Sequence, residues 1–232
     1  MSVKYRLAIT KGEEVRYVSH LDYMRSIERA VRRTKLPAAY SEGFNPHMKI
    51  AFASALSVGV ASEAEYMDIE LTGDVEPAAM GEALASQLPP GIAVGRLRQI
   101  PATGQPALMA VVNLAAYRIS LPLPAGAAGA ALEAIGRFNA AAAVPYIKEN
   151  PKGKKEIDIK TYVREVAVTP GADGLELAVE VRITPTGSIK PTEVIKVLVE
   201  KFGLPADPDA ALVTRTGLFV ADGANRVSPL DI

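Results

Sequence analysis

The chain has no cysteine and no tryptophan, and of its 232 residues only His20 and His47 are histidines. Without thiols there is no disulfide, no thiolate nucleophile and no cysteine-held zinc or iron–sulfur cluster. Two histidines are too few for a histidine-built metal centre, so the sequence predicts neither a metal nor a cofactor. No apolar run approaches the roughly 18 residues that a bilayer span needs, and the opening MSVKYRLAIT lacks the charged-then-apolar order of a signal peptide. A soluble, cytoplasmic protein with no membrane association is expected. Also missing are G-x-x-x-x-G-K-[ST], G-x-G-x-x-G opening a helix after a strand, H-E-x-x-H and G-x-S-x-G. Their absence removes the common phosphate-loop, dinucleotide, zinc-protease and serine-hydrolase readings.

What is present begins with charge. The chain is neutral overall, yet residues 1–50 hold ten Lys and Arg against five Asp and Glu, and residues 51–100 hold two against seven. The first part is therefore dipolar, +5 followed by −5. Such a field steers an anionic partner to one face without making the whole protein basic. The alternative is a solvated surface helix laced by pairs such as Glu28 with Arg32.

The cationic part centres on RYVSHLDYMRSIERAVRRTKLPAAYSEGFNPHMK, Arg16 to Lys49. Ser19 and Asp22 form an S-x-x-D capping box that starts a helix at Ser19. At 100° per residue Leu21, Met24, Ile27 and Val31 share an apolar side, while Arg25, Arg29, Arg32 and Arg33 cluster opposite. Pro37 ends the helix by excluding Leu36 from the α region. A polar turn, Ser41-Glu42-Gly43-Phe44-Asn45-Pro46-His47, follows.

Strand and helix patterns then run β-α-β-β-α-β over residues 1–100: Val3 to Thr10, the capped helix, Met48 to Ala55, Tyr66 to Thr72, a helix opened by Glu76-Pro77, and Ile92 to Ile100. Pro101 to Pro106 reads as a linker. A similar order fills 111–232: strands at Tyr117 to Leu123 and Val144 to Lys148, a helix at Ala127 to Ala140, a hairpin of Glu156 to Val168 with Leu175 to Ile183, a helix at Thr192 to Phe202 and a strand at Leu212 to Val220. Ala224 to Ile232 reads as a loose tail. The expected fold is α+β, two tandem ferredoxin-like domains with antiparallel sheets, at 1–100 and 111–232.

Several residues could carry chemistry. Imidazole titrates near neutrality, so His20 and His47 are the candidates for general acid–base work. His20 reads better as a packed or capping side chain, and His47 equally as a binding residue or as part of the turn. Arg25, Arg29, Arg32 and Arg33 suit phosphate or carboxylate through their planar forks. Ser41, Asn45, His47 and Lys49 could line a ligand site held open by the turn. Lys152, Lys154, Lys155, Lys160 and Arg164 form a second basic group, offset by Glu149, Glu156, Asp158 and Glu165. The small-residue run Thr184 to Pro191 precedes a helix and reads as an anion site or, preferably, as a plain connection.

The wording RYVSHLDYMRSIERAVRRTKLPAAYSEGFNPHMKIAFASALSVGVASEAEYMDIEL, Arg16 to Leu71, resembles the bacterial radical-SAM-linked protein family. The likeness continues through EIDIKTYV (Glu156 to Val163) and GSIKPTEVI (Gly187 to Ile195). That family is a domain of unknown function, free-standing beside a radical SAM protein or fused to its C-terminus. Where it usually reads N-P-H-P-K, this chain has Asn45-Pro46-His47-Met48-Lys49. The resemblance implies a radical SAM partner, often encoded near ribosome and RNA-processing genes. The expected role is an accessory, non-catalytic module that binds RNA or another anionic substrate for that enzyme. One alternative is a metal-independent endoribonuclease similar to CRISPR repeat-processing proteins, with His20 or His47 as base. Another is a protein–protein scaffold using the acidic residues 63–82.

Overall fold

The computed structural model describes residues 2–150 and 153–232, so Lys152 of the basic group lies outside the described residues. The chain is mixed α+β, with five α-helices among the described residues and strand pairs that run antiparallel. It divides into two compact units, Met1–Asn113 with Gly217–Ile232, and Leu114–Thr216.

In the first unit the elements are β1 (Val3–Lys11), α1 (His20–Thr34), β2 (Ile50–Phe52), β3 (Val60–Leu71), α2 (Pro77–Ala85), β4 (Val94–Ile100) and α3 (Leu108–Val111). β1 lies between β4 and β3, and β2 pairs with β3. Strand side chains alternate between faces. Tyr5, Leu7 and Ile9 of β1, with Met67, Ile69 and Leu71 of β3, are buried under Tyr23, Ile27 and Val31 of α1 and Met80 and Leu84 of α2.

The other face of the same strands carries charge. Arg6 stands opposite Asp68 in the β1–β3 register, and the two are 0% and 2% exposed. Arg6 Nε and Nη2 donate to the two Asp68 carboxylate oxygens at 2.7 and 3.1 Å, and Lys4 Nζ lies 3.0 Å from Asp68 Oδ2. Arg6 Nη1 donates at 2.8 Å to the carbonyl of Pro229. Residues 224–232 are therefore not a loose tail. Their Pro229 and Leu230 are buried, Arg96 pairs with Asp231 at 3.0 Å, and Arg98 donates to the Ile232 carbonyl at 2.6 Å. The reason is satisfaction of a buried guanidinium, whose acceptor lies far along the chain and leaves no local pattern.

α1 starts at Ser19, whose Oγ accepts the Asp22 N–H at 3.2 Å. Only half of the box forms, because the Asp22 carboxylate takes the Ser19 hydroxyl at 2.8 Å instead of the backbone amide. Leu21, expected on the apolar side, is 62% exposed. At 100° per residue it falls outside the arc set by Tyr23, Ile27, Ala30 and Val31, the buried residues of the helix. The helix ends before Pro37: Lys35 adopts φ 58°, ψ 21°, the left-handed cap usually given to glycine.

In the second unit the elements are β5 (Leu114–Pro122), α4 (Ala128–Ala140), β6 (Pro145–Asn150), β7 (Gly153–Asp158), β8 (Val166–Pro170), β9 (Gly174–Arg182), α5 (Pro191–Phe202) and the start of β10 (Leu212–Asp222). β9 pairs with β5 and β8, and α4 and α5 supply buried Ile135, Phe138, Val194, Ile195 and Leu198. Gly174 is required at the β8–β9 turn, since a Cβ there would meet the Leu121 carbonyl oxygen at 2.2 Å. Two expected strands change role. Residues 145–150 pair with β7 in a separate two-stranded sheet. The run 156–168 is not one strand, because Asp158 caps a 3-10 turn by accepting the Lys160 N–H at 3.0 Å and also takes the Val144 N–H at 2.8 Å. β10 ends in the first unit, where Val220 to Asp222 pair with β11 (Asn225–Val227).

Two stability outcomes follow from these contacts. Asp68→Ala leaves Arg6 buried without its counter-charge and should cost about 3–5 kcal/mol in urea denaturation. Lys35→Gly relieves the left-handed backbone and should add about 1 kcal/mol in the same measurement.

Candidate nucleic-acid interface

All four α1 arginines are exposed, away from the core formed by Tyr23, Ile27, Ala30 and Val31. Arg25 has a 66% exposed side chain and an ion pair with Asp22 at 3.4 Å. Arg29 Nη2 donates to Ser26 Oγ at 3.3 Å, and Arg32 is exposed. An exposed i,i+3 pair is worth well under 1 kcal/mol and gives way to a better anion. Arg33 is different. Its Nε donates to Gln87 Oε1 at 3.2 Å and its Nη2 to the Gln87 carbonyl at 2.5 Å, which ties the end of α1 to the segment after α2.

The segment carrying Ser41, Asn45, His47 and Lys49 is a loop closed on itself. Tyr40 bridges Met48, the Ser41 N–H donates to the His47 carbonyl at 2.8 Å, and the His47 N–H donates to Ser41 Oγ at 3.0 Å. Gly43 supplies the positive φ of 114° that the bend needs. Asn45 and His47 are exposed, whereas Met48 is buried in the apolar core. Lys49 lies 3.3 Å from the Glu70 carboxylate. Among the described residues no hydrogen bond or ion pair joins the α1 arginines to this loop. His20, half-buried, meets the Phe52 ring edge-on at 5.8 Å.

The segment just before α1 contains Arg16 and the aromatic Tyr17 of the cationic stretch, but the sequence does not show that Lys11 and Arg16 are buried. Lys11 is 1% exposed, and its ammonium donates to the carbonyls of Arg16 and Val18 at 2.9 and 2.8 Å, fixing the approach to the Ser19 cap. Arg16 is buried; its Nε and Nη2 donate to the Gly59 carbonyl at 2.8 and 2.7 Å and its Nη1 to Glu13 at 2.6 Å. Tyr17 beside it is 75% exposed.

The second unit offers less to an anion. The N-terminus of α5 is filled by its own residue, because the Glu193 carboxylate accepts the Lys190 N–H at 2.7 Å. Thr184 and Gly187 close the preceding turn on each other. Lys154 pairs with Glu149 at 2.6 Å. Lys160 stands 4.4 Å over the Phe138 ring, and burial lowers its pKa. Between β6 and α5 a groove of about 490 Å³ is lined by Tyr146, Glu149, Lys190, Glu193, Lys196 and Glu200. Burial, then the carboxylates of Glu193, Glu200 and Glu149, raise the Tyr146 phenol above its ordinary 10.0.

Among the described residues no cluster of His, Asp or Glu is placed to hold a metal ion, and no helix is long and apolar enough to cross a membrane. The raised Tyr146 value sets a pH dependence. A neutral phenol favoured by the fold stabilises it fully below the unfolded value and less as pH rises through the folded one. Wild-type stability should therefore fall above about pH 10, and Tyr146→Phe should reduce that fall; urea midpoints on either side of about pH 10 check it.

No curated protein matches this sequence. Residues 4–191 match the family described as "Uncharacterized protein conserved in bacteria (DUF2344)". The matched span runs from β1 to the first residue of α5 and includes the arginine helix, the Ser41–His47 loop and the groove residue Tyr146. The chain belongs to this bacterial protein family.

Proposed function

We propose that the protein is an accessory module that binds RNA and presents it to a radical SAM enzyme. The observation that carries this reading is the outer face of α1, where Arg25, Arg29 and Arg32 stand exposed with only Asp22 and Glu28 for local compensation. Guanidinium forks on a rigid helix keep a fixed spacing, which favours phosphate over diffuse counter-ions. Each bound phosphate releases condensed cations, so affinity arises largely from their entropy. The division of labour with a radical SAM enzyme fits a chain that has no cysteine to hold a cluster. We also read each unit as ferredoxin-like. The β-α-β-β-α-β order from β1 to β4 supports this in the first unit, and β5, α4, β8, β9, α5 and β10 support it in the second.

The buried Arg6–Asp68 pair and the segment 228–232 occupy the far face of β1 and β3. RNA is accordingly assigned to the helix side of the first unit. Arg33 has a structural part, because its two bonds to Gln87 hold the helix end in place.

Labelled RNA titrated at several salt concentrations tests the proposal. Replacing Arg25, Arg29 and Arg32 together by Gln should weaken binding and reduce the log–log salt slope by about 2, the value for three single-strand phosphate contacts. Wild-type protein that binds no RNA at low salt, or a triple variant with an unchanged slope, rules it out. Co-purification with a radical SAM enzyme encoded nearby checks the partner.

A further inference from the structure

We propose that the surface just ahead of α1 is a base-stacking platform, so that the RNA recognised is single-stranded; this rests on the assignment of RNA to the α1 face. The platform is Tyr17. Its ring is 75% exposed but its position is fixed from beneath. The Arg16 guanidinium sits 5.8 Å from the ring centroid, and that guanidinium is itself held by the Gly59 carbonyl and Glu13. The strand end is locked in turn by the Gly59 N–H, which donates to the Arg16 carbonyl at 2.9 Å. Lys11 holds the same carbonyl and that of Val18. An aromatic ring backed by a buried cation and braced by backbone bonds loses little freedom when a base stacks on its open face.

The arginines follow Tyr17 closely along the chain. Leu21, 62% exposed, stands on the first turn of α1, and Arg25, Arg29 and Arg32 follow along the same outer face. From the Ser19 cap to Arg32 this strip is roughly 20 Å long, enough for several phosphates. Val58, next to Gly59, is also exposed and extends the apolar end. A platform for a base at one end and guanidinium forks along the rest match a single strand, whose unstacked bases are accessible. A duplex keeps its base faces stacked and offers Tyr17 nothing to cover. An acidic peptide would satisfy the arginines but leave the ring without a π partner.

Fluorescence anisotropy with a labelled single strand of roughly 12 nucleotides, a duplex of equal length and oligoglutamate distinguishes these partners. The single strand should bind most tightly. Tyr17→Ala should weaken it roughly 5- to 150-fold, the span for one lost stacked base, with the salt slope unchanged, and Tyr17→Phe should restore it. Equal affinity for single strand and duplex, oligoglutamate binding as tight as RNA, or an unaffected Tyr17→Ala overturns the platform. If the arginine-dependent salt slope persists in those cases, phosphate binding by α1 still stands. Absence of binding to either RNA overturns both. An unchanged urea midpoint for Tyr17→Ala confirms that the fold is intact.

Discussion

The first unit depends on a charge that cannot reach water. Arg6 and Asp68 are placed face to face by the β1–β3 register, and their burial leaves each reliant on the other. A guanidinium has five donors, and the two directed at Asp68 leave others to satisfy. One goes to the Pro229 carbonyl, so the requirement for acceptors recruits a segment 223 residues away. Replacing such a pair with apolar residues often costs nothing, whereas removing one partner is severe. Its value here is specificity of assembly: only the strand alignment that sets Arg6 against Asp68 leaves no uncompensated charge.

Charges on the opposite side of the unit divide by a similar rule. Lys11 and Arg16 are enclosed and spend their donors on carbonyls and Glu13, which shapes the chain entering α1. Arg33 spends its donors on Gln87. Arg25, Arg29 and Arg32 are exposed and, among the described residues, have only weak local partners, which leaves donors to spare. Arginines adjacent on one helix thus separate into fasteners and contact residues according to what lies across from them.

That separation marks the limit of what the sequence discloses. The Ser19 cap, the spacing of Ile27 and Val31, Pro77 at the start of α2 and Gly174 in the β8–β9 turn are local rules met in place, although Asp22 supplies only its N–H to the cap. Leu21 looks apolar and periodic but sits one step beyond the buried arc, which only the packed helix defines. Lys11 and Glu65 lie just beyond the expected strands Val3 to Thr10 and Tyr66 to Thr72, and are buried because β1 and β3 extend past those limits. The partner of Arg33 is 54 residues away and that of Arg6 is farther still. Tyr17 carries no signal in the sequence beyond being aromatic; its rigidity comes from Arg16 and Gly59, which come together only when β3 forms.

The chain leaves the first unit after Asn113, builds another, and returns at Gly217. Synthesis proceeds from the N-terminus, so Arg6 and Asp68 emerge from the ribosome long before Pro229 does. For that interval β1 to β4 and their helices are present without the carbonyl that completes the guanidinium, and without the end of β10 and β11. The inserted unit thus has time to fold first, and the segment 228–232, translated after it, acts as the latch that completes the surroundings of Arg6.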